Sequence, residues 1–297
     1  MKILITGATG LIGKRLVNRL KEKGHSVNIL VRNKTENPNE FLWNTTENFI
    51  EDEAFTNVES IIHLSGASIG KRWTKNYKKE LHDSRVETAN LLFSYAKKHE
   101  LKLKSFISAS GINYYGTFTS NEILTEEIPI KKLDFLANLC KNWEEAALQF
   151  SEISERVVCL RTSPVLSQKG GTLELLKKVT NLNLASPLGS GDQWMNWIHL
   201  DDLVEMYVFA VENTEMEGAF NAVADEIPSN KNFMKELAKK MKKLFIPIPV
   251  PRHLIQLILG EMSTIILEGS RASNQKIKSQ GFEFKHPMLS ETFENLL

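Results

Sequence analysis

The first thirty-odd residues contain a glycine repeat that limits what this chain can fold into. A short β-rich run, Lys2 to Thr6, is followed by the segment GATGLIG, and apolar residues then recur at helical spacing as far as Gly24. A second apolar run, Val27 to Val31, has the composition of a buried strand. Strand, glycine turn, helix and strand in this order predict the first unit of a dinucleotide-binding fold.

The glycine turn also predicts where the dinucleotide binds. Glycine lets the backbone turn tightly and approach a ligand, and the N–H groups at the start of the following helix attract a pyrophosphate. The alternative is a glycine-rich turn that holds no ligand. The residues of this turn that we predict to contact the cofactor are Gly7, Thr9, Gly10, Leu11, Ile12 and Gly13.

The residue after the second strand indicates which dinucleotide is bound. An NAD site usually places a carboxylate there, about twenty residues past the glycines, to bind the ribose hydroxyls. This chain has Arg32 and Asn33 at that place. An arginine pairs with a 2′-phosphate whereas a carboxylate would repel it, so the sequence favours NADP over NAD. The alternative is an arginine that simply lies on the surface.

Composition excludes several classes of protein. With 37 Lys and Arg against 36 Asp and Glu, the net charge of +1 gives no reason to expect a nucleic-acid partner. No apolar run approaches the ~20 residues of a membrane helix, and no secretory leader precedes the first strand, so we expect no membrane partner and a cytoplasmic location. The two cysteines suit a reducing compartment, and the seven histidines form no H-x-x-x-H pair, so no metal site is predicted.

Strand-like and helix-like segments alternate along the first two-thirds of the chain. This alternation predicts an α/β fold: a Rossmann-type, doubly wound parallel sheet with a smaller carboxyl-terminal substrate-binding lobe. We expect residues 1–165 to form the NAD(P)-binding domain, with 198–223 returning to it, and residues 166–197 and 224–297 to form the lobe. Three finer expectations are a helix over Phe135–Phe150, a helix capped by Asp201 or Asp202, and an aromatic strand after Gly281.

Small and polar residues follow two of the predicted strands. The carboxyl ends of parallel strands face the ligand crevice of such a sheet. The first of these, Glu59 to Leu64, is followed by Ser65 and Gly66. The next, Lys104 to Ser108, is followed by a loop that contains Ser110, Tyr114 and Tyr115. We predict cofactor contacts for Leu64, Ser65, Gly66 and Ser108, and catalytic roles for Ser110 and Tyr115.

Several motifs together resemble one family. The segments TGATGLIG, KRWT, SASGINYYG, WIHLDD and GFEFKHP are similar to those of extended, atypical short-chain dehydrogenases/reductases, in particular the YfcH-like group of NAD(P)-dependent epimerases. The resemblance covers nearly the whole chain and implies an NAD(P)-dependent oxidoreductase or epimerase. It also implies a substrate pocket that includes Arg72, Trp73, Arg85 and Trp197.

One expected element of that family is missing. Most members carry a Tyr-x-x-x-Lys pair, because a phenol with a pKa near 10 is a poor base at neutral pH without a neighbouring cation. The corresponding helix has Leu136 and Cys140 near those places and contains no tyrosine. Three interpretations stay open: Tyr114 or Tyr115 acts with Ser110; Cys140 or a pair of His199 and Asp201 acts instead; or hydride chemistry has been lost.

The sequence therefore supports two functions. The first is an NADP-dependent oxidoreductase or epimerase-like enzyme acting on an unidentified small molecule, for which a nucleotide sugar is one candidate. The second is an NADP(H)-binding regulatory or sensor protein with altered chemistry. Association into a homodimer stays open in both cases.

Overall fold

The computed structural model describes all residues from 1 to 297 and has a mixed α/β architecture. The strands are β1 (Lys2–Thr6), β2 (Ser26–Val31), β3 (Glu40–Asn44), β4 (Phe49–Ile50), β5 (Ser60–His63), β6 (Ser105–Gly111), β7 (Ser120–Leu124), β8 (Val157–Thr162), β9 (Val165–Leu166), β10 (Ile198–His199), β11 (Gly218–Ala222) and β12 (Ser270–Ala272). The helices are α1 (Leu11–Glu22), α2 (Lys75–Asp83), α3 (Val86–Lys98), α4 (Phe135–Leu148), α5 (Gly171–Asn181), α6 (Leu200–Glu212), α7 (Asn230–Lys240), α8 (Arg252–Leu259), α9 (Thr264–Leu267), α10 (Gln275–Ser279) and α11 (Leu289–Leu296).

Eight strands form one sheet in the order β11-β8-β6-β5-β1-β2-β3-β4. All neighbours pair in parallel except β3 and β4. The chain builds outward from β1 through β2 and β3, and then continues on the other side of β1 from β5 to β11. Ligands of doubly wound sheets bind where the strand order reverses in this way, which is here between β1 and β5. The predicted Rossmann-type parallel sheet is confirmed.

Apolar residues cover both faces of this sheet, because successive side chains of a strand point to opposite sides. On β1, Ile3 and Ile5 join the cluster that contains Leu16 of α1, whereas Leu4 joins the cluster that contains Leu92 of α3. The strand is thus buried on both sides, as expected of a parallel sheet covered by helices. This burial fixes the turn after Thr6 relative to the rest of the sheet.

A third apolar cluster lies outside the large sheet. It includes Trp197, Phe233 of α7 and Phe293 of α11, and it provides the second half of the chain with a core of its own. Helix α6 and strand β11, in contrast, pack on the large sheet, with β11 pairing with β8. The proposed domain limits remain predictions. None of the helices combines the length and the apolar character needed to cross a bilayer.

Three local expectations are corrected by the structure. Strand β6 extends to Gly111, so Ser110 lies on the strand and not in the following loop. Helix α6 is capped by the side chain of His199, which accepts the N–H of Asp201, while the carboxylate of Asp202 accepts the N–H groups of Lys285 and His286. Residues 282–287 form no strand. Helix α4 starts at Phe135 as predicted and ends at Leu148.

Candidate active site

The glycine turn between β1 and α1 has a shape that only glycine permits. Gly7 has a φ of +69°. A side-chain carbon on Gly7 would lie 2.8 Å from the carbonyl of Leu64, and one on Gly13 would lie 2.2 Å from the oxygen of Gly7. These positions are therefore closed to any side chain. The turn packs directly onto the end of β5 and onto the first turn of α1.

The start of α1 is open to solvent. Thr9, Gly10 and Leu11 are exposed, and Gly10 is the amino-terminal cap with no side chain to satisfy the first N–H groups. Ile12 is half-buried against the core. Free N–H groups and the positive end of the helix dipole are what a pyrophosphate requires. The predicted turn residues are thus brought together in a cradle that fits a dinucleotide.

The end of β5 forms the opposite wall of this cradle. Thr6 Oγ1 accepts the N–H groups of Leu64 and Ser65, each at 3.2 Å, which ties the two strand ends together. Gly66 follows, with Arg85 immediately beneath it. Ser108, the fourth residue predicted here, is fully buried on β6, and its hydroxyl donates to the carbonyl of Ala109.

Arg32 lies at the end of β2, on the same edge of the sheet as the glycine turn, since β1 and β2 pair in parallel. Its side chain is exposed and forms no ion pair. Of the acids that follow, Glu51 pairs with Lys34 and Glu40 accepts hydrogen bonds from Thr35, whereas Glu36 is exposed and forms no ion pair with Arg32. The guanidinium is thus free to meet an anion.

A buried polar network lies at the end of β6. Ser110 Oγ donates to Glu144 Oε1 at 2.6 Å, and Arg161 of β8 donates to both oxygens of Glu144 at 2.9 Å. All three residues are at most 8% exposed. Burial disfavours the charge on Arg161, but the Glu144 carboxylate outweighs this effect and the pKa of Arg161 is raised. The ion pair therefore persists inside the protein.

The same network holds the two tyrosines. Arg161 Nη1 donates to the hydroxyl of Tyr115 at 3.0 Å, and that hydroxyl donates to Asn221 Oδ1 at 2.9 Å. Tyr115 has no exposed surface, and burial raises its pKa to about 12. Tyr114 is only half-buried, and the Arg161 guanidinium lies 3.4 Å from the centre of its ring. Of the pair, Tyr114 is the one that solvent and ligands can reach.

Helix α4 faces this network with residues that cannot replace a Tyr-x-x-x-Lys pair. Leu136 and Cys140 are both buried, and Glu144 follows one turn later on the same face. Burial raises the pKa of the Cys140 thiol to about 12, so it remains protonated at neutral pH. An acid–base role for Cys140 has no support in this geometry.

His199 is engaged in holding the fold. Its Nδ1 accepts the N–H of Asp201, its Nε2 lies 3.2 Å from Asn295 Oδ1, and its ring packs on His286. Asp201 pairs with Arg15. His199, Asp201 and His286 cluster closely, yet both ring nitrogens of His199 already have partners. These contacts favour a capping role over the alternative catalytic one.

The four residues predicted to contact substrate are divided between two places. Arg85 and Trp73 lie beside the end of β5: Arg85 donates to the carbonyls of Leu81 and Ala67 and stacks on Trp143, and Trp73 donates to the carbonyl of Ile69. Arg72 is exposed next to them. Trp197 is enclosed in the third core, where its indole N–H donates to the carbonyl of Glu226. Their contacts favour structural roles for Arg85 and Trp197, and substrate binding stays a prediction.

Sequence reasoning missed the residues that organise the network. Glu144, Arg161 and Asn221 come from α4, β8 and β11. One signal was available for Glu144, which falls four residues after Cys140 and therefore on the same helix face. Nothing in the local sequence marks the other two.

A strand-order reversal, a glycine cradle and an exposed helix start together define a Rossmann-type nucleotide-binding protein. Residues 3–222 match the NAD dependent epimerase/dehydratase family, and residues 250–296 match a domain of unknown function, DUF1731. The chain belongs to the NAD dependent epimerase/dehydratase family. The resemblance to extended short-chain dehydrogenases is thereby confirmed.

Individual relatives agree with this assignment. An epimerase family protein of Staphylococcus aureus is 34% identical over 99% of this chain and 98% of its own length. The human epimerase family protein SDR39U1, solved with NADPH, superposes with a TM-score of 0.89 at 27% identity, over 100% of this chain and 99% of that one. A nucleoside-diphosphate sugar epimerase from Corynebacterium glutamicum gives 0.82 at 27% identity, and this chain spans 58% of its length. Structures at 16–18% identity, several with NAD, share the fold.

Proposed function

We propose that this chain is an NADP-dependent oxidoreductase or epimerase-like enzyme that acts on a small, nucleotide-sugar-like substrate. The observation that carries the proposal is the open glycine cradle with an unpaired arginine, Arg32, at the end of the neighbouring strand. A carboxylate at that place would repel a 2′-phosphate, and none is present. The NADPH in the similar human protein supports the same cofactor.

The residues that would hold NADP follow from the cradle. The N–H groups at the start of α1 would bind the pyrophosphate, Arg32 the 2′-phosphate, and the Leu64–Gly66 segment would lie against the remainder of the cofactor. When bound, the nicotinamide supplies or accepts a hydride. Gly7 and Gly13 keep the space that any side chain would fill.

Acid–base chemistry at the end of β6 belongs, in this proposal, to Ser110 and the tyrosine pair. Because the Ser110 hydroxyl donates its hydrogen bond to Glu144, its oxygen keeps lone pairs that can accept a hydrogen bond from a substrate hydroxyl. Tyr114 is the phenol within reach of a ligand, and Tyr115, the proton donor expected from the sequence, is better placed to hold Arg161 and Asn221 in position. Arg161 takes the place of the missing lysine as the nearby cation.

The cofactor assignment is tested by titrating NADPH and NADH into the protein and into Arg32→Glu. Charged hydrogen bonds are worth ~1.5–3 kcal/mol, so we expect NADPH to bind about tenfold to a hundredfold more weakly, with NADH changed less than about threefold. Lys21→Glu, an exposed reversal at the far end of α1, is the matched control. Equal losses for both nucleotides in Arg32→Glu would contradict the assignment to NADP.

A second candidate is an NADP(H)-binding regulatory or sensor protein. It is favoured by one observation, the apolar burial of Leu136 and Cys140 where a Tyr-x-x-x-Lys pair is expected. A screen of nucleotide sugars and small carbonyl compounds, followed by NADPH absorbance, separates the two candidates. Turnover of any of them supports the enzyme, and tight NADPH binding without turnover supports the sensor.

A further inference from the structure

Helix α8 exposes an apolar strip that no part of the chain covers. Leu254, Leu257 and Ile258 share one face, and they are 44%, 77% and 72% exposed, whereas Ile255 on the other side is buried. Ile248, just before the helix, is 72% exposed. A surface helix normally turns this kind of face toward the core, so an exposed strip of this size indicates an interaction surface. We call Ile248 and these three residues the α8 strip.

The stretch of chain that leads into α8 is basic. No Asp or Glu occurs between Glu236 and Glu261, whereas the same stretch contains Lys239, Lys240, Lys242, Lys243 and Arg252. Lys242 and Lys243 form no ion pair, and the two acids that follow are engaged, Glu261 with Lys78 and Glu268 with Arg252. Residues 237–260 therefore combine exposed apolar side chains with unpaired lysines.

A further cation lies at the carboxyl end of α8. A side-chain carbon on Gly260 would be 3.7 Å from Nε of Arg72, which is exposed and unpaired, and Lys71 is exposed next to it. Unpaired cations thus occur on both sides of α8: Lys71 and Arg72 lie beside its carboxyl end, and Lys242 and Lys243 precede it along the chain.

This charge pattern favours one of two possible partners of the α8 strip, a lipid surface, over the other, a second copy of the chain. A twofold dimer would bring the same patch of two copies together, so the cations flanking each strip would face one another. A negatively charged lipid surface would instead neutralise them while its headgroup region accepts the leucine and isoleucine side chains. We propose that the α8 strip docks on the surface of an anionic lipid bilayer. A surface contact needs no membrane-spanning helix.

Docking there would orient the candidate active site. Met262 and Ile265, which follow α8, pack on the cluster formed by Trp73, Leu81, Leu136 and Leu139. That cluster joins the segment after β5 to the start of α4. The segment that follows α8 therefore contacts the edge of the candidate active site, and a docked molecule would present this edge close to the lipid headgroups.

The test is sedimentation of the full chain with vesicles of phosphatidylglycerol and phosphatidylcholine, compared with phosphatidylcholine alone. We expect binding only to the anionic vesicles, weakened by salt. Lys242→Ala with Lys243→Ala should weaken it about fivefold per lysine, roughly thirtyfold in all. Leu257→Glu should weaken it by about tenfold or more, because it removes an inserted side chain and adds a charge that the lipid repels.

Leu148→Glu, an equally drastic change at the exposed end of α4, is the matched control and should bind as the unaltered protein does. Retained NADPH binding and an unchanged thermal unfolding curve show that the α8 variants are folded. Failure of the unaltered protein to sediment with anionic vesicles overturns the proposal. So does a dimer in solution that Leu257→Glu converts to monomer while vesicle binding stays the same, since a second copy would then cover the strip.

Discussion

The glycine cradle and the network around Glu144 both lie at the carboxyl ends of neighbouring parallel strands, but they are built in different ways. The cradle comes from seven consecutive residues and one neighbouring strand end. The network draws its members from β6, the turn after it, α4, β8 and β11. A site made from consecutive residues can be predicted from the sequence, whereas a site assembled from several strands and helices is identified only once the fold is known.

The two parts also depend on different forces. The cradle depends on the absence of side-chain atoms at Gly7 and Gly13, so an added carbon at either position would overlap the backbone. The network works because a buried carboxylate and guanidinium compensate each other, and neither could remain charged there alone. Substitutions should therefore damage the two parts by different amounts and with different effects on nucleotide binding.

The largest effect is expected for Arg161→Leu. This change leaves the Glu144 carboxylate without its cation while Tyr115 loses a hydrogen bond, and breaking a buried pair typically costs ~3–5 kcal/mol. The free energy of unfolding, measured with urea, should fall by about that amount. NADPH should still bind to the folded fraction, because no residue of the cradle touches Arg161.

The double variant Arg161→Leu with Glu144→Leu separates the charge from the packing. Replacing both partners by apolar residues is often close to neutral, so the double variant should be more stable than Arg161→Leu alone. If Arg161→Leu costs less than about 1 kcal/mol, the pair behaves like an exposed one and its proposed role in holding the tyrosines is wrong.

A smaller loss of stability, but complete loss of nucleotide binding, is expected for Gly13→Ala. The added carbon would lie 2.2 Å from the oxygen of Gly7, so the turn must open, and overpacking of this kind costs ~1–3 kcal/mol. NADPH titration by fluorescence is the measurement. Gly70→Ala, where the nearest atom is 3.7 Å away, is the control and should bind normally. Normal NADPH binding by Gly13→Ala would mean that the cradle is not the cofactor site.

The sequence predicts the fold further than it predicts the site. The periodicity of buried residues is a local property, so the parallel sheet and most elements could be predicted to within a few residues. The errors occur where a distant partner decides the local structure. His199 caps α6 in place of Asp201 or Asp202, since the carboxylate of Asp202 is used by the N–H groups of Lys285 and His286.

The candidate site likewise has a part that could be predicted from the sequence and a part that could not. The glycines and Arg32 could be proposed from spacing, because the cradle is continuous in sequence. Ser110 and the tyrosines could be located, but not their partners, because Glu144, Arg161 and Asn221 are 34, 51 and 111 residues away from Ser110 along the chain. The burial of Tyr115 follows from those partners, so no argument from the sequence alone could have separated it from Tyr114.

The last predicted effect is a pH dependence of stability that arises at the end of β5, beside the cradle. His63, at the end of β5, accepts the indole N–H of Trp143 and lies 2.9 Å from Thr88 Oγ1, and burial lowers its pKa to about 3. In the unfolded chain its pKa is about 6.5. Between about pH 6.5 and about pH 3 the unfolded state binds a proton at His63 and the folded state does not. The contribution of His63 to stability is therefore complete above about pH 6.5, and it is lost as the pH falls toward 3, by up to about 1.4 kcal/mol per pH unit.

His63→Asn should remove this part of the acid sensitivity, because the amide can accept from Trp143 and donate to Thr88 without titrating. The measurement is the free energy of unfolding between pH 7 and pH 4, and the expected result is a shallower slope by up to about 1.4 kcal/mol per unit, even if the variant is less stable at pH 7. His199, whose pKa burial lowers to about 4, keeps its own share of the slope. His253→Asn, on the exposed face of α8, is the control. An unchanged slope in His63→Asn would show that His63 titrates in the folded protein as it does in the unfolded chain, so that water reaches its ring beside Trp143.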